Sequence, residues 1–456
     1  TRRSSDLNLQ NKYKSLDNHK LKALHGINVE KIFLSNNSNN TFEVVYCTSI
    51  NKPQTSNLRS IWKERRQGTA IPLVVACEYE QRFSICGPVG NEPPVYENLN
   101  INIAQIICSE ALDKENYPLA LRSIKENLFS LNSVKIGIQN EGLFSDNVIE
   151  KLSKTQKNWK QIVNESKKLM GKSEEILLKS LGYEIENFDK LSFLLRVSGK
   201  KKALAVLLKS NESIDIENQR FGNLSPIANT FAKADREGVQ FVIVCTPNSI
   251  RLYPANLGVG VGSKGRTETF IHFNLKLMEE DDFATLKLIC SAESILEKCY
   301  FFELLDDSKR FSGNLVLTIR ESIHSEVIPL ISKGIKKELF NKKKLDKSDL
   351  DQIYNLSLLI LFRIIFIAYS EDKDLLPYKS NDLYKKRSLK NIAQELMEAL
   401  KNKKLEFEES NIYWDNLNHL FNAVNYGNKT WNVPPYNGGL FSNDENSPFY
   451  YKNIDD

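Results

Sequence analysis

The residue types and spacings closest to chemistry lie between Asp189 and Lys209. A metal-dependent phosphodiesterase built on an Asp…Glu-x-Lys core sets an aspartate at the start of one strand and Glu-x-Lys along the next. Two carboxylates then hold a divalent cation while the lysine steadies the attacking water. Here the strand-forming runs LSFLLRVS and KKALAVLLKS follow one another in the required order. Leu207 occupies the glutamate position, Ser192 the aspartate position, and only Lys209 is kept; Asp189 stands three residues early. A hard cation without two oxygen ligands has no site. The expectation is a vestigial nuclease core in which Lys209 and Asp189 are what remains of the catalytic set, with no metal bound. The alternative is an active Mg2+-dependent endonuclease whose ligands have moved to Asp189, Glu212 or Asp215.

Contact with a nucleic-acid backbone is the second chemistry on offer. NLRSIWKERR sets Arg59, Lys63, Arg65 and Arg66 around Trp62, so that cations can meet phosphates while the ring stacks. Lys264 and Arg266 in NLGVGVGSKGRTE are further candidates. Gly260, Gly262 and Gly265 match GxGxxG, but a pyrophosphate site needs a helix N-terminus at the last glycine, and the residues that follow, TETFIHFNL, are strand formers. The segment reads instead as a mobile glycine loop between two strands that touches a DNA backbone through Lys264 and Arg266. A second basic stretch runs from Lys333 to Lys347, although charge runs are more often solvated faces than ligand sites. A net charge of +5 over 456 residues permits a nucleic-acid partner without demanding one.

The seven cysteines are widely spaced and sit in apolar runs such as VVACEY and FVIVCT, the pattern of reduced core thiols in a cytosolic protein. There is no CxxC and the five histidines are scattered, so no structural metal site is expected. The longest apolar run, Leu356 to Tyr369, is shorter than the roughly 20 residues a bilayer needs and contains Arg363, which argues against a membrane span. An isolated buried charge is costly. Arg363 is therefore expected to find a partner in Glu371, Asp372 or the loop from Tyr436 to Phe441.

The elements that must hold these groups fall into three stretches, within the two to four domains that the length predicts. Residues 1–150 read as an α+β domain, with FEVVYCTSI, AIPLVVACEY and QRFSICGP as strands of an antiparallel meander. Two helices, IAQIICSEAL and LALRSIKENLFSL, and the loop IGIQNEGLFSD complete it. Residues 151–280 read as a small α/β core: a helix stopped by Gly182, two strands, a helix near SPIANTFAKADREG, the strands VQFVIVCT and SIRLYP, and the closing run TETFIHFNL. Residues 281–456 read as all-helical, with helices at 283–303, 313–340, 349–369 and 388–405. Ser348 and Asp351 are the expected capping box of the apolar helix, and Glu279 to Asp282 complement a helix N-terminus. No internal repeat is evident at periods of about 20 to 50 residues.

Two separated segments, LFRIIFIAYSEDKDLLP and NVPPYNGGLF, carry a family likeness. VPPY is close to the Asn/Asp-Pro-Pro-aromatic loop with which adenine methylases hold their target amine. Val433 stands where the amide or carboxylate must be and Asn432 is one residue early, so the loop reads as non-catalytic, with Tyr436 and Asn437-Gly438-Gly439 forming a tight turn that packs a domain end. Together with RSLKNIAQEL between them, the two segments resemble the region ahead of the methylase domain in type IIG restriction-modification enzymes and related phage-defence methylases. Pro435 stands where alanine is more usual, and the likeness covers roughly residues 345–445.

The resemblance implies a bacterial, cytoplasmic full-length enzyme that transfers a methyl group from S-adenosylmethionine to adenine N6 in double-stranded DNA. Its cofactor loop and Asn-Pro-Pro-Tyr loop would lie beyond Asp456, with no cofactor-binding residue before it, and its partners would include other defence-system subunits. Residues 151–280 would then be a degenerate restriction-endonuclease-like core, and the chain a non-catalytic DNA-positioning scaffold. A scaffold or binding protein unrelated to DNA modification is the remaining reading.

Overall fold

The computed structural model describes residues 9, 12–16, 21, 26–36, 40–90, 92–131, 135–262, 264–339, 344–373, 375–378, 381–401, 412–436 and 438–442. The architecture is α+β, with two mixed sheets and a helical C-terminal region, as expected in class. Two compact units divide it, residues 1–90 with 95–315 and residues 91–94 with 316–456.

The first sheet comprises β1 (Lys14–Leu16), β2 (Ile27–Leu34), β3 (Glu43–Ser49), β4 (Leu73–Tyr79), β5 (Arg82–Cys86) and β6 (Val95–Asn100), lying in chain order. All neighbours are antiparallel except β3 and β4, which are parallel. The expected meander is thus corrected. Parallel strands need a crossover, and NLRSIWKERR supplies it as helix α1 (Thr55–Gln67), because Leu58, Ile61 and Trp62 recur at helical spacing and bury one face. On the other face α2 (Ile101–Leu112) and α3 (Tyr117–Ser130) bring Ala104, Ile107 and Ile124 against Val44, Tyr46 and Val74.

The second sheet repeats this plan. After β7 (Ile138–Glu141) come α4 (Asp146–Thr155), α5 (Trp159–Ser166), α6 (Glu174–Ser180), β8 (Glu184–Asn187), β9 (Ser192–Val197), β10 (Lys200–Leu207), α7 (Pro226–Glu237), β11 (Phe241–Thr246), β12 (Ser249–Pro254), β13 (Phe270–Asn274) and α8 (Glu280–Cys290). The order is β7-β13-β12-β11-β10-β9-β8, and again one pair, β10 with β11, is parallel and bridged by a helix while the others are antiparallel. β7 arises from IGIQNEGLFSD, the expected loop, which pairs with β13 along its length and so starts the second core before residue 151.

Side chains alternate across β10. Ala203 and Ala205 meet Leu177 of α6 and Phe283 and Leu286 of α8, whereas Leu204 and Val206 meet Ile227, Phe231 and Ala234 of α7. The first residues of α9 (Tyr300–Ser322), Phe301 and Leu304, join the α8 side. The expected start of a separate helical domain near residue 281 is therefore displaced: α8 and the beginning of α9 cover the second sheet. Glu279 and Asp282 form a capping box at α8, in the place the acidic run indicated.

α9 runs on through Gly313; in the second unit a π-helical turn at Ile323–Val327 leads into α10 (Ile328–Leu339), and α11 (Lys347–Asp372), α12 (Asp382–Lys385), α13 (Leu389–Lys401) and α14 (Ile412–Tyr426) follow. The capping box of α11 is Asp346 with Asp349, not Ser348 with Asp351. α11 is long and apolar enough to cross a membrane by length and composition, but half of that window is buried inside the protein, as in the core helix of a soluble protein. Residues 1–8, the lysines at 342–343, helix residues 402–405 and Asn437 lie outside the described residues.

Candidate functional site

The nuclease-like positions come first. Ser192 pairs with Val206 across the β9/β10 ladder, so both side chains lie on the α7 face. Leu207, the next residue, leaves β10 on the α8 face and packs there. A carboxylate at 192 and one at 207 would therefore stand on opposite sides of the sheet. Asp189 is equally unavailable. It accepts hydrogen bonds from the Leu191 and Ser192 N–H groups and the Ser192 hydroxyl at 2.7–2.8 Å, and pairs with Lys233 of α7 at 2.8 Å. Partial burial opposes ionisation, but these donors outweigh it and hold the Asp189 carboxyl at about 2. The other displaced acids are also occupied. Glu212 binds Arg220 and accepts the Lys209 backbone N–H at 2.9 Å. Asp215 takes the Arg122 guanidinium of α3 at 2.7 Å. Among the described residues no group of three or more His, Cys, Asp or Glu is arranged to hold a metal ion.

Lys209, just past the end of β10, borders a polar cleft of about 120 Å3 between the carboxyl ends of β10 and β11 and helices α2 and α3. Its walls are locked. Glu110 accepts from Asn127 at 2.9 Å and from Asn248 at 3.1 Å, Asn274 donates to Asn127 at 2.9 Å, and Arg122 ties Glu126 to Asp215. Buried Arg251 lies over the Phe270 ring at 4.3 Å and donates to His272 Nδ1 and the Tyr253 hydroxyl, each at 3.2 Å. Burial, then the charge of Arg251, pushes His272 well below its ordinary value, so it is neutral and accepts at Nδ1. Among the described residues the Lys209 ammonium has no ion pair. The cleft can receive an anionic oxygen, but it is smaller than the roughly 300 Å3 at which drug-sized ligand pockets begin.

The expected DNA contacts are mostly spent inside the fold. Trp62 is 5% exposed and donates its ring N–H to the Leu73 carbonyl at 3.0 Å, so no base can stack on it. Arg59 is buried and Lys63 half-buried, both engaged within the protein. Arg65 forks onto buried Glu43 at 2.8 and 3.0 Å, and Arg66 donates to the Ile71 carbonyl. Lys264 pairs with Glu141 at 2.6 Å, and Arg266 forks onto Asp235 while stacking on Phe231. The glycine loop is pinned rather than mobile: the Val261 and Gly262 N–H groups donate to the Gly142 carbonyl, which any side chain at Gly260 (φ 121°) would strike. The basic residues left without an acid partner among the described residues include Lys209 and, on one side of α10, Lys333, Lys336 and Lys337. The i, i+3, i+4 spacing of those three was the signal within the second basic stretch.

In the second unit the two resemblance-bearing segments meet. Arg363 donates to the Leu440 carbonyl at 2.8 Å and lies over the Phe421 and Phe441 rings. The Tyr436 hydroxyl donates to the Leu375 carbonyl at 2.6 Å, and Phe366 packs edge-on to Tyr436 and Phe441. Val433 is buried in the same cluster and pairs with Asn428, a core position rather than a catalytic one. Glu371 turns away from Arg363. Fully buried, it accepts from the Tyr384 hydroxyl and from the Leu389 and Lys390 N–H groups that open α13, at 2.8–3.1 Å.

All seven cysteines are free and six are buried; burial pushes the Cys108 thiol up to about 12, so it is no nucleophile. Comparison with protein families, with curated proteins and with solved structures returned no match for this chain.

Proposed function

We propose that the chain is the non-catalytic, DNA-positioning and scaffold region of a bacterial restriction-modification or defence protein whose full-length form methylates adenine N6 in DNA from S-adenosylmethionine. The observation that carries the non-catalytic part is the opposed facing of Ser192 and Leu207. In a restriction-endonuclease-like strand order this separates the two ligand positions, and the displaced acids Asp189, Glu212 and Asp215 are already bound to a cation or an N–H. What is left is a lysine, which binds phosphate as a point charge without activating water. The packing of Arg363, Phe366 and Leu375 against Leu440, Phe441 and Tyr436 supports treating the two resemblance-bearing segments as one structural join ahead of a methylase domain.

Phosphate contacts are assigned to Lys209 and to Lys333, Lys336 and Lys337, since Arg65 and Arg266 are consumed by Glu43 and Asp235 and Arg66 by the Ile71 carbonyl. Duplex binding read by fluorescence anisotropy across a salt series tests this. Each lost phosphate contact lowers the salt slope by about 0.9, so replacing the three α10 lysines by alanine should weaken binding and flatten the slope. Unchanged binding and slope would exclude those residues.

A further inference from the structure

We propose that α11 is a self-association helix, its outer face docking antiparallel on the same helix of a second copy of this chain. α11 is apolar on two sides. Ile353, Leu356, Ile360 and Ile367 face inward. On the outer side Leu350, Tyr354, Phe362, Ile365 and Tyr369 are 45–57% exposed, and Leu358 is half-buried. At 3.6 residues per turn these six positions fall within an arc of about 120°, which also carries exposed Asp351 and buried Leu361, and they run the length of the helix. A largely apolar exposed stripe marks an interaction surface.

The order of side chains selects the occupant. Lys347 and Asp372 lie on the same arc at the two ends of the stripe. Set antiparallel on its own copy, Leu350 faces Tyr369, Tyr354 faces Ile365, Leu358 faces Phe362, and Lys347 faces Asp372. The surface is then complementary to itself, as a two-fold interface requires. A parallel arrangement would set Lys347 against Lys347 and Asp372 against Asp372. The shallow crossing of about 20° found in helix bundles keeps the ends in reach. The stripe is narrower than the roughly 20–30 residues a side of a standard interface, so the dimer should be weak and concentration-dependent.

Sedimentation velocity of the whole chain over a concentration series tests this. The wild-type chain should shift from monomer to dimer. Phe362→Asp, at a half-exposed position, should weaken association at least tenfold with an unchanged circular dichroism spectrum. Lys347→Asp should weaken it severalfold, and adding Asp372→Lys should restore it, since the exposed pair of Asp372 with Lys390 contributes little. A chain that stays monomeric at every concentration, a dimer that Phe362→Asp leaves intact, or a charge swap that fails to restore association would overturn the proposal.

Discussion

Ser192 and Leu207 leave the second sheet on opposite faces: Ser192 is in register with Val206 on the α7 side, and Leu207 packs on the α8 side. This relationship outlasts any change of side chain, because the strand period of two is a property of the backbone. Restoring the acids should therefore not restore a metal site. The double variant Ser192→Asp with Leu207→Glu should show no Mg2+ binding by isothermal titration. Stoichiometric binding would mean that the two positions share a face.

Arg363 holds the join of the second unit through the Leu440 carbonyl and two aromatic rings. Arg363→Met leaves that carbonyl unpaired and should cost about 2 kcal/mol, seen as a lower urea midpoint in near-ultraviolet circular dichroism. Arg363→Lys should recover little, because an ammonium lacks the planar fork that stacks and donates together. Equal midpoints for wild type and Arg363→Met would remove the residue from this role.

Glu371 is the acceptor for the start of α13. Glu371→Gln keeps the size but turns one acceptor into a donor facing the Leu389 or the Lys390 N–H group, at a cost of about 1–3 kcal/mol. Amide exchange at Leu389 and Lys390 should accelerate before that of the rest of the unit. Unaltered exchange at both would contradict the cap.

Asp189 has a folded-state carboxyl held at about 2, against an ordinary 3.8. A depressed folded value contributes stability that is present above the ordinary value and is lost as pH falls through the folded one. Asp189→Asn should thus lower the urea midpoint at about pH 6, with the difference shrinking between about pH 4 and pH 2. Partial exposure keeps the increment small. A difference that grows on acidification would have the wrong sign.

The strands and most helices are legible in the chain because apolar periodicity is local. Facing and partner choice are not. NLRSIWKERR shows its cations plainly, but only the strands on either side reveal that Leu58, Ile61 and Trp62 make it a crossover helix and that Glu43 takes Arg65. That Ser192 and Leu207 face opposite ways is hidden because register is set across strands, one residue of slip reversing the face. The shared plan of the two sheets leaves no short period in the chain, since what repeats is pairing order over a span longer than such repeats reach. The partner of Arg363 was foreseeable in the loop from Tyr436 to Phe441, because a buried guanidinium must find an acceptor and that loop supplies carbonyls and rings. The role of Glu371 was not, since it depends on where α13 begins.

Incubation of the chain with supercoiled plasmid and Mg2+ or Mn2+, at concentrations where anisotropy shows the DNA bound, tests the central claim most directly. The account predicts that the plasmid is bound and stays supercoiled with either metal. Accumulation of nicked circles that Lys209→Ala abolishes would contradict it and make the second sheet an active nuclease.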